Sequence, residues 1–208
     1  MPLQSRVSPF GELFADSSRG LFYGNRGGRF HRADRTLTAR RWASRAWICC
    51  LLSFRGRHRE VWGEGFTGLF FLDEVTALAA GHRPCFECRR KDADAFANLW
   101  PVARKRTMRA RAADMDAVLQ AERLHGRDKR RHRRVIDDLP DGATIVMPGG
   151  DEAAMLRGGQ LLHWTPNGYV SAGPRPRGAS VELLTPPSIV AVLKAGYRPV
   201  WHPSADAA

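Results

Sequence analysis

The chain has 208 residues, of which 43% are hydrophobic, and this size and composition suit a globular fold of one large or two small domains. No apolar run approaches the roughly 20 residues of a membrane span, which excludes a membrane-spanning helix. Residues 1–6 also lack the apolar stretch of a secretory signal. We therefore expect a cytoplasmic protein, in which thiols stay reduced and clustered cysteines favour a metal over a disulfide.

The formal net charge is +12, and only four of the 33 basic residues are lysine. Such an excess of positive charge favours polyanions, because each neutralised phosphate releases counterions. A GC-rich coding bias would explain the preference for arginine over lysine, but it would not explain the excess of bases over acids. The charge therefore predicts contact with nucleic acid, and a merely basic surface is the alternative.

The first elements in chain order are a glycine-rich loop and a β-hairpin. The loop is predicted at residues 24–29. Residues 42–54 are almost continuously apolar and favour a strand, residues 55–57 a turn, and residues 58–62 a return strand. A further short buried strand is predicted at residues 69–72.

A short helix follows that strand, and both of its ends carry clear signals. Asp73 is a good N-cap, Gly81 suits the residue just after the last helical turn, and Pro84 prevents the helix from continuing. The Cys85-x-x-Cys88 pair thus falls in a tight turn after the helix. A second short helix is predicted at residues 92–100.

The next part of the chain is strongly basic. Two basic runs, at residues 104–111 and 127–134, flank a modest helical stripe that ends at Gly126. Such runs are typical of a solvated face or linker, or of an arm that contacts nucleic acid.

From residue 141 the pattern changes to short strands separated by glycine and proline turns. Strands are predicted at residues 143–147, 153–156, 161–164, 169–172 and 181–184, and then a helix that stops at Gly196. We expect an α+β fold in three parts. They are a small zinc-stapled ββα-type module with an N-terminal extension (1–105), a basic helix or linker (106–140), and a β-rich C-terminal module closed by a short helix (141–208).

One element occurs twice: a short apolar helix, a glycine, an aromatic ring and then Arg-Pro. The copies are Gly81-His82-Arg83-Pro84 and Gly196-Tyr197-Arg198-Pro199. Each copy predicts a helix that ends in a left-handed cap and then turns sharply. The arginine after such a helix end contacts either phosphate or the last helix carbonyls.

Four cysteines form the most specific pattern in the chain. Cys85 and Cys88 have a spacing at which two thiolates grip one metal ion, and Cys49 and Cys50 could complete four sulfur ligands. Adjacent residues on a strand point to opposite faces, so both reach one ion only if the strand ends or bulges there. Otherwise one of them is a buried apolar residue and a histidine supplies the fourth ligand. The histidine candidates are His31, His58 and His82. A redox pair or simply buried thiols are the rival interpretations.

The segment from the strand predicted at residues 69–72 to the Cys85-x-x-Cys88 pair resembles a known family. Residues 69–89 combine a short strand, a helix ending in Ala-Gly-aromatic-Arg-Pro, and Cys85-x-x-Cys88-Arg89. Over residues 45–90 the chain resembles the Ada metal-binding domain, the N-terminal zinc domain of bacterial DNA methylphosphotriester repair methyltransferases. The resemblance implies zinc ligation by Cys49, Cys50, Cys85 and Cys88. It also implies that one upstream cysteine takes a methyl group from a DNA phosphotriester, because zinc makes a nucleophilic thiolate available at neutral pH.

The expected function is a zinc-binding protein that binds nucleic acid, DNA more than RNA, with the zinc in a structural role. The alternative is an enzyme that acts on nucleic acid, either a zinc-thiolate alkyl acceptor or a nuclease, and a scaffold with incidental charge is a third possibility. The candidate catalytic groups of such an enzyme are His31, Asp34, His58, Glu60, Asp73 and Glu74, and none of them falls in a recognised catalytic spacing. Asp73 and Glu74 have a simpler role at a helix start. The residues expected to contact phosphate are Arg83, Arg89, Arg90, Arg104, Lys105, Arg106, Arg130, Arg131, Arg133 and Arg134.

Overall fold

A computed structural model describes residues 2–56, 60–101 and 109–208, and within them the fold is α+β, as the sequence predicts. The N-terminal sheet has the strand order β2-β1-β5-β3-β4-β6. Its strands are β1 (Arg6–Val7), β2 (Leu13–Phe14), β3 (Phe22–Arg26), β4 (Trp47–Leu51), β5 (Leu69–Phe71) and β6 (Arg83–Pro84).

The pairing of β4 corrects the predicted hairpin. Strand β4 pairs with β3 antiparallel and with β6 parallel, and the described residues 60–62 are not in a strand.

The predicted loop at residues 24–29 is also partly wrong, because β3 extends to Arg26. The reason is Gly24, whose missing side chain lets β3 and β4 approach closely. A Cβ there would lie 2.3 Å from the carbonyl oxygen of Ile48. The glycine thus serves close packing rather than a turn.

The predicted C-terminal strands are confirmed, and they form a second, antiparallel sheet with the order β13-β12-β11-β10-β14-β9. One of its two edge strands, β9, comes from the basic run at residues 127–134 and thus lies before the boundary predicted at residue 141. Between the sheets in sequence, β7 (Leu124–His125) and β8 (Asp128–Lys129) form a small hairpin. The strands of the second sheet are β9 (His132–Val135), β10 (Thr144–Val146), β11 (Ala154–Arg157), β12 (Gln160–Thr165), β13 (Gly168–Pro174) and β14 (Ser180–Leu183).

Four α-helices lie in the described part of the chain, and they share one hydrophobic core. They are α1 (Glu74–Ala79), α2 (Arg90–Asn98), α3 (Ala112–Arg123) and α4 (Pro187–Lys194). The core contains Leu78, Phe96, Met115 and Ile189, one from each helix. None of the helices in the described ranges has the length and apolar character that a membrane span requires.

Both copies of the repeated element end their helices in the same way. Gly81 has φ +88° and Gly196 has φ +109°, so each occupies the left-handed region predicted for the cap. In each copy the glycine N–H bonds the carbonyl three residues back, and the next N–H bonds the carbonyl five residues back. At the other end of α1, the Asp73 carboxylate accepts a hydrogen bond from the Thr76 N–H at 2.8 Å, which confirms the predicted N-cap.

Candidate metal centre

Three of the four cysteines meet at one place. The sulfur atoms of Cys50, Cys85 and Cys88 all lie within 4.8 Å of one another, and all three residues are buried. This spacing allows a single ion to contact all three sulfurs, because a zinc–sulfur bond is about 2.3 Å long. We refer to Cys50, Cys85 and Cys88 as the thiol cluster.

The parallel pairing of β4 with β6 creates the thiol cluster from residues that are far apart in sequence. Ile48 lies opposite Arg83, and Cys49 lies opposite Pro84. The Cys85 N–H then donates to the Cys49 carbonyl at 3.0 Å, which extends the pairing by one residue. A short loop, residues 85–89, connects the end of β6 to the start of α2. The chain turns in this loop, and the turn brings Cys88 back to β4, where its sulfur accepts the Leu51 N–H.

Backbone N–H groups point at two of the sulfurs. Leu51 donates to the Cys88 Sγ at 3.4 Å, and Glu87 donates to the Cys85 Sγ at the same distance. Such donors stabilise negative charge on sulfur, so they suit thiolates that ligate a metal. Apolar side chains surround the cluster and limit its contact with water; they include Tyr23, Ile48, Phe54 and Phe70.

The three thiols strongly perturb one another's protonation. Hydrogen bonds from Cys50 to Cys85 and Cys88, together with burial, raise the pKa of the Cys50 thiol far above its usual range. The same hydrogen bond from Cys50 lowers the pKa of Cys85. Without a cation, the buried cluster therefore holds protons that a metal would have to displace. Metal binding is expected to release protons and to weaken as the pH falls.

Cys49 lies on the other face of β4. Its side chain is fully buried in the hydrophobic core of the N-terminal sheet, with Phe22, Leu69 and Phe71. The only cysteines that the described structure groups for a metal are Cys50, Cys85 and Cys88. The sequence left two arrangements open for the adjacent cysteines. In the fold, β4 is a regular strand, so Cys49 points into the core and Cys50 points to the thiol cluster.

Arg89 fixes the turn that carries the thiol cluster. Its guanidinium is 2.9 Å from the Glu74 carboxylate, with each side chain 1% exposed, and 2.8 Å from that of Asp92. The Arg89 Nη1 also donates to the Cys49 Sγ at 3.4 Å. Glu74 in turn accepts a hydrogen bond from Tyr197, at 2.7 Å. No local pattern indicates a partnership between residues 123 positions apart, so sequence reasoning missed this supporting network.

A groove of about 640 Å³ borders the thiol cluster. Cys50 and Cys85 form part of its wall, and the carboxylates of Glu60, Glu64 and Glu87 are also on it. Tetrahedral zinc takes four ligands, so an ion on three sulfurs would keep one position for water or for a group from the groove. Sites with such an open position can do chemistry, whereas sites with four protein ligands are closed.

The histidine candidates have other partners. His31 bonds the Thr67 hydroxyl at 2.8 Å and stacks on Trp62. His82 is fully buried, and it accepts a hydrogen bond from Arg26 at 3.4 Å. Neither is part of the thiol cluster. His58 lies outside the described residues.

The residues predicted to contact phosphate fall into three groups. Arg83 and Arg89 are buried, and Arg83 makes a bidentate ion pair with Asp116, with both distances 2.8 Å. Their guanidinium groups are thus committed to carboxylates of the protein. The exposed arginines are Arg90, which pairs with Asp94, Arg131, which pairs with Glu182, and Arg130, Arg133 and Arg134. Arg104, Lys105 and Arg106 lie outside the described residues.

Two of the candidate catalytic carboxylates, Asp73 and Glu74, are buried, and both join α1 to the C-terminal part of the chain. Asp73 accepts hydrogen bonds from the Tyr169 hydroxyl at 2.6 Å and from the His202 N–H at 3.0 Å. Burial raises the pKa of Asp73. These contacts support the structural role at the helix start.

The chain matches no known protein family, no curated protein and no solved structure.

Proposed function

We propose that the protein binds one zinc ion through Cys50, Cys85 and Cys88 and that it binds nucleic acid, DNA more than RNA. The single observation that carries the metal assignment is the approach of three buried sulfur atoms to within 4.8 Å of one another. The positive charge of the chain carries the choice of nucleic acid as partner.

Zinc suits the donor set better than other common ions do. Calcium and magnesium prefer oxygen ligands, whereas thiolates select softer ions such as zinc. The N–H groups of Leu51 and Glu87 would stabilise the thiolates that zinc requires. An ion held there would tie β4 to the turn before α2, which is a structural role. The resemblance to the Ada metal-binding domain supports the same ion.

Metal analysis of the purified protein tests the zinc site. We expect about one zinc per chain in the wild type and in Cys49→Ala, because Cys49 faces the core. Cys50→Ala, Cys85→Ala and Cys88→Ala should each lose most of the zinc. Retention of zinc in these three variants, or its loss in Cys49→Ala alone, would place the metal elsewhere.

The exposed arginines near β9 are the best candidates for phosphate contacts. Arg130, Arg133 and Arg134 are solvent-exposed and adjoin the edge of the second sheet. Arg83 and Arg89 are not included, because each already has a buried carboxylate partner. The favoured ligand is DNA because of the Ada resemblance.

A mobility-shift titration across salt concentrations tests nucleic-acid binding, with DNA and RNA of the same sequence compared. Binding should weaken steeply with salt, and each of Arg130→Gln, Arg133→Gln and Arg134→Gln should reduce the log–log slope by about 0.9. Arg198→Gln removes an exposed charge from the C-terminal segment and is the matched control. A salt-independent response would count against phosphate contacts.

A second candidate function is favoured by the groove beside the thiol cluster. Because Cys50 and Cys85 border this groove, an uncharged alkyl phosphotriester could approach their sulfurs, whereas the three glutamates of the groove would repel an ordinary charged phosphate. The protein would then be an alkyl acceptor rather than a purely structural zinc protein. After incubation with DNA that carries methyl phosphotriesters, intact-mass measurement should show the gain of one methyl group. The gain should persist in Cys49→Ala. It should disappear in Cys50→Ala or in Cys85→Ala, the two cysteines that line the groove.

A further inference from the structure

A second cavity, of about 560 Å³, lies away from the thiol cluster and is lined by positive charge. Six cationic and two acidic residues line it, and one of the six, Arg131, also pairs with Glu182, so the local formal excess is three positive charges. The carboxylates belong to Glu12 and Asp128, and both of these residues are exposed. The cationic residues are Arg26, Arg41, Arg123, Arg127, Lys129 and Arg131. We refer to this space as the cationic cavity.

Two of these arginines are buried against the same indole ring. The guanidinium carbons of Arg26 and Arg123 each lie 3.9 Å from the centroid of Trp47. Trp47 and Arg26 are 2% exposed, and Arg123 is fully buried. Both guanidinium groups make cation–π contacts with this ring, and these contacts help to preorganise the two arginines at the wall of the cavity.

The hydrogen-bond partners of buried Arg26 and Arg123, and of half-buried Lys129, are neutral. Arg26 donates to the Gly11 carbonyl at 2.7 Å, and Arg123 donates to the carbonyls of Gly81 at 3.0 Å and Arg45 at 2.8 Å. Lys129 donates to the Ala79 carbonyl. Carbonyl oxygens satisfy N–H groups, but they do not cancel a formal charge.

Protein carboxylates do not compensate this charge either. Asp116 is the acidic group that most favours the charged form of Arg123, but both of its oxygens bond Arg83 at 2.8 Å. No ion pair among the described residues involves Arg26, Arg123 or Lys129. The Nε of Arg123 is buried and has no hydrogen-bond partner within the described ranges.

A buried charge without a counter-charge raises the free energy of the folded protein, and a bound anion would lower it. Burial and neighbouring positive charges lower the pKa of Lys129 to about 7 and that of Arg123 to about 9. A bound anion would remove this penalty and restore the charged forms. Arg41, on the cavity wall, also holds a backbone φ of +62°, an unusual value for a residue other than glycine.

We propose that the cationic cavity binds a phosphate group. Arginine side chains form strong charge-assisted bonds with phosphate oxygens, and here five arginines line one concave space. The volume is within the range of small-ligand sites and exceeds what one phosphate fills, so the cavity has room for a phosphate that belongs to a larger molecule. The half-buried rings of Phe10 and Trp42 on the wall offer apolar contact to the rest of that molecule.

This site deepens the nucleic-acid binding proposed above and rests on it for the origin of the phosphate. The β7–β8 hairpin and the residue before β9 supply one wall, through Arg127, Lys129 and Arg131. The exposed Arg130, Arg133 and Arg134 follow along the same stretch of chain. A nucleic-acid strand that contacts those arginines could therefore place one of its phosphates in the cationic cavity.

Calorimetric titration with inorganic phosphate, at constant ionic strength set with chloride, tests the cavity directly. Phosphate should bind the wild type and Arg198→Gln equally, and at least about tenfold more weakly to Lys129→Gln and Arg127→Gln. Arg127 is exposed, so its replacement leaves the core intact, and circular dichroism would verify the fold of each variant. Equal phosphate binding by all four proteins, or none by the wild type, would overturn the proposal.

Two further ligands identify the source of the phosphate and separate this proposal from the proposed function. A nucleoside 5′-monophosphate should bind more tightly than inorganic phosphate, and the nucleoside without phosphate should not compete with it. An oligonucleotide should displace the monophosphate if the phosphate comes from nucleic acid. Phosphate and monophosphate binding without displacement would keep the cavity assignment and overturn its link to nucleic acid. Oligonucleotide binding that is unaffected by Lys129→Gln and Arg127→Gln would overturn the cavity as its contact point.

Discussion

At the level of single residues, the two glycine caps are equivalent in backbone conformation but differ in their surroundings. A Cβ on Gly81 would lie 2.7 Å from Cδ and 2.8 Å from Cβ of Arg123, whereas a Cβ on Gly196 would meet nothing within 4 Å. Gly81 therefore does two things: it ends α1, and it leaves room for the buried arginine of the cationic cavity.

Replacement of each glycine by alanine separates these two effects. Gly196→Ala should lose about 1–2 kcal/mol of unfolding free energy, the cost of a left-handed conformation for a residue with a side chain. Gly81→Ala should lose about 1–3 kcal/mol more, because Arg123 must also shift. Denaturant unfolding measures both, and equal losses would show that Arg123 moves aside without cost.

At the level of elements, the turn between β6 and α2 depends on Arg89 and its two carboxylate partners. Glu74 is buried with Arg89, whereas the Asp92 side chain is 46% exposed. The two carboxylates thus contact the same guanidinium from very different environments. Glu74 also bonds Tyr197 and the Val200 N–H, at 3.0 Å for the latter, so it links the turn to the C-terminal segment.

Removal of each carboxylate should have unequal consequences. Glu74→Ala leaves a buried guanidinium without its buried partner, and we expect a loss of about 3–5 kcal/mol of unfolding free energy. Asp92→Ala, the matched control, should cost at most about 1 kcal/mol because water replaces the lost partner. Chemical denaturation gives both values. Similar losses in the two variants would mean that Glu74 is not the anchor of the turn.

The sequence predicted elements whose signals are local. The N-cap Asp73, the glycine caps and the C-terminal strands all follow from residues within a few positions of one another. The partners of β4 could not be predicted in this way, because β3 precedes it by about two dozen residues and Gly24 resembles a turn signal. For the candidate site, the spacing of Cys85 and Cys88 was informative, but the choice between Cys49 and Cys50 depends on strand register.

At the level of the whole molecule, the two sheets are joined through α1. Leu72 and Val75 pack with Met155, Leu162 and Tyr169 of the second sheet. The Tyr169 hydroxyl donates to the buried Asp73 carboxylate at this junction. Because apolar packing and buried hydrogen bonds both cross the junction, the sheets should not unfold independently.

We therefore expect one cooperative unfolding transition, with near-ultraviolet and far-ultraviolet circular dichroism giving the same midpoint. Tyr169→Phe removes a hydrogen bond to a buried carboxylate and should lower the unfolding free energy by about 1.5–3 kcal/mol without splitting the transition. Val170→Ala, at an exposed position of the same strand, should change it by less than about 0.5 kcal/mol. Two separate transitions in the wild type would show that the junction is weak.

The placement of Cys49 and Cys50 on opposite faces of β4 has a practical consequence for chemical labelling. If the thiol cluster holds the proposed zinc, a thiol reagent should reach the cluster sulfurs only after that zinc is removed, whereas Cys49, buried in the core, should react only after β4 leaves the sheet. The order in which the four cysteines are modified would therefore distinguish loss of the proposed zinc from unfolding. Modification of Cys50 would thus report loss of the proposed zinc, and modification of Cys49 would report unfolding.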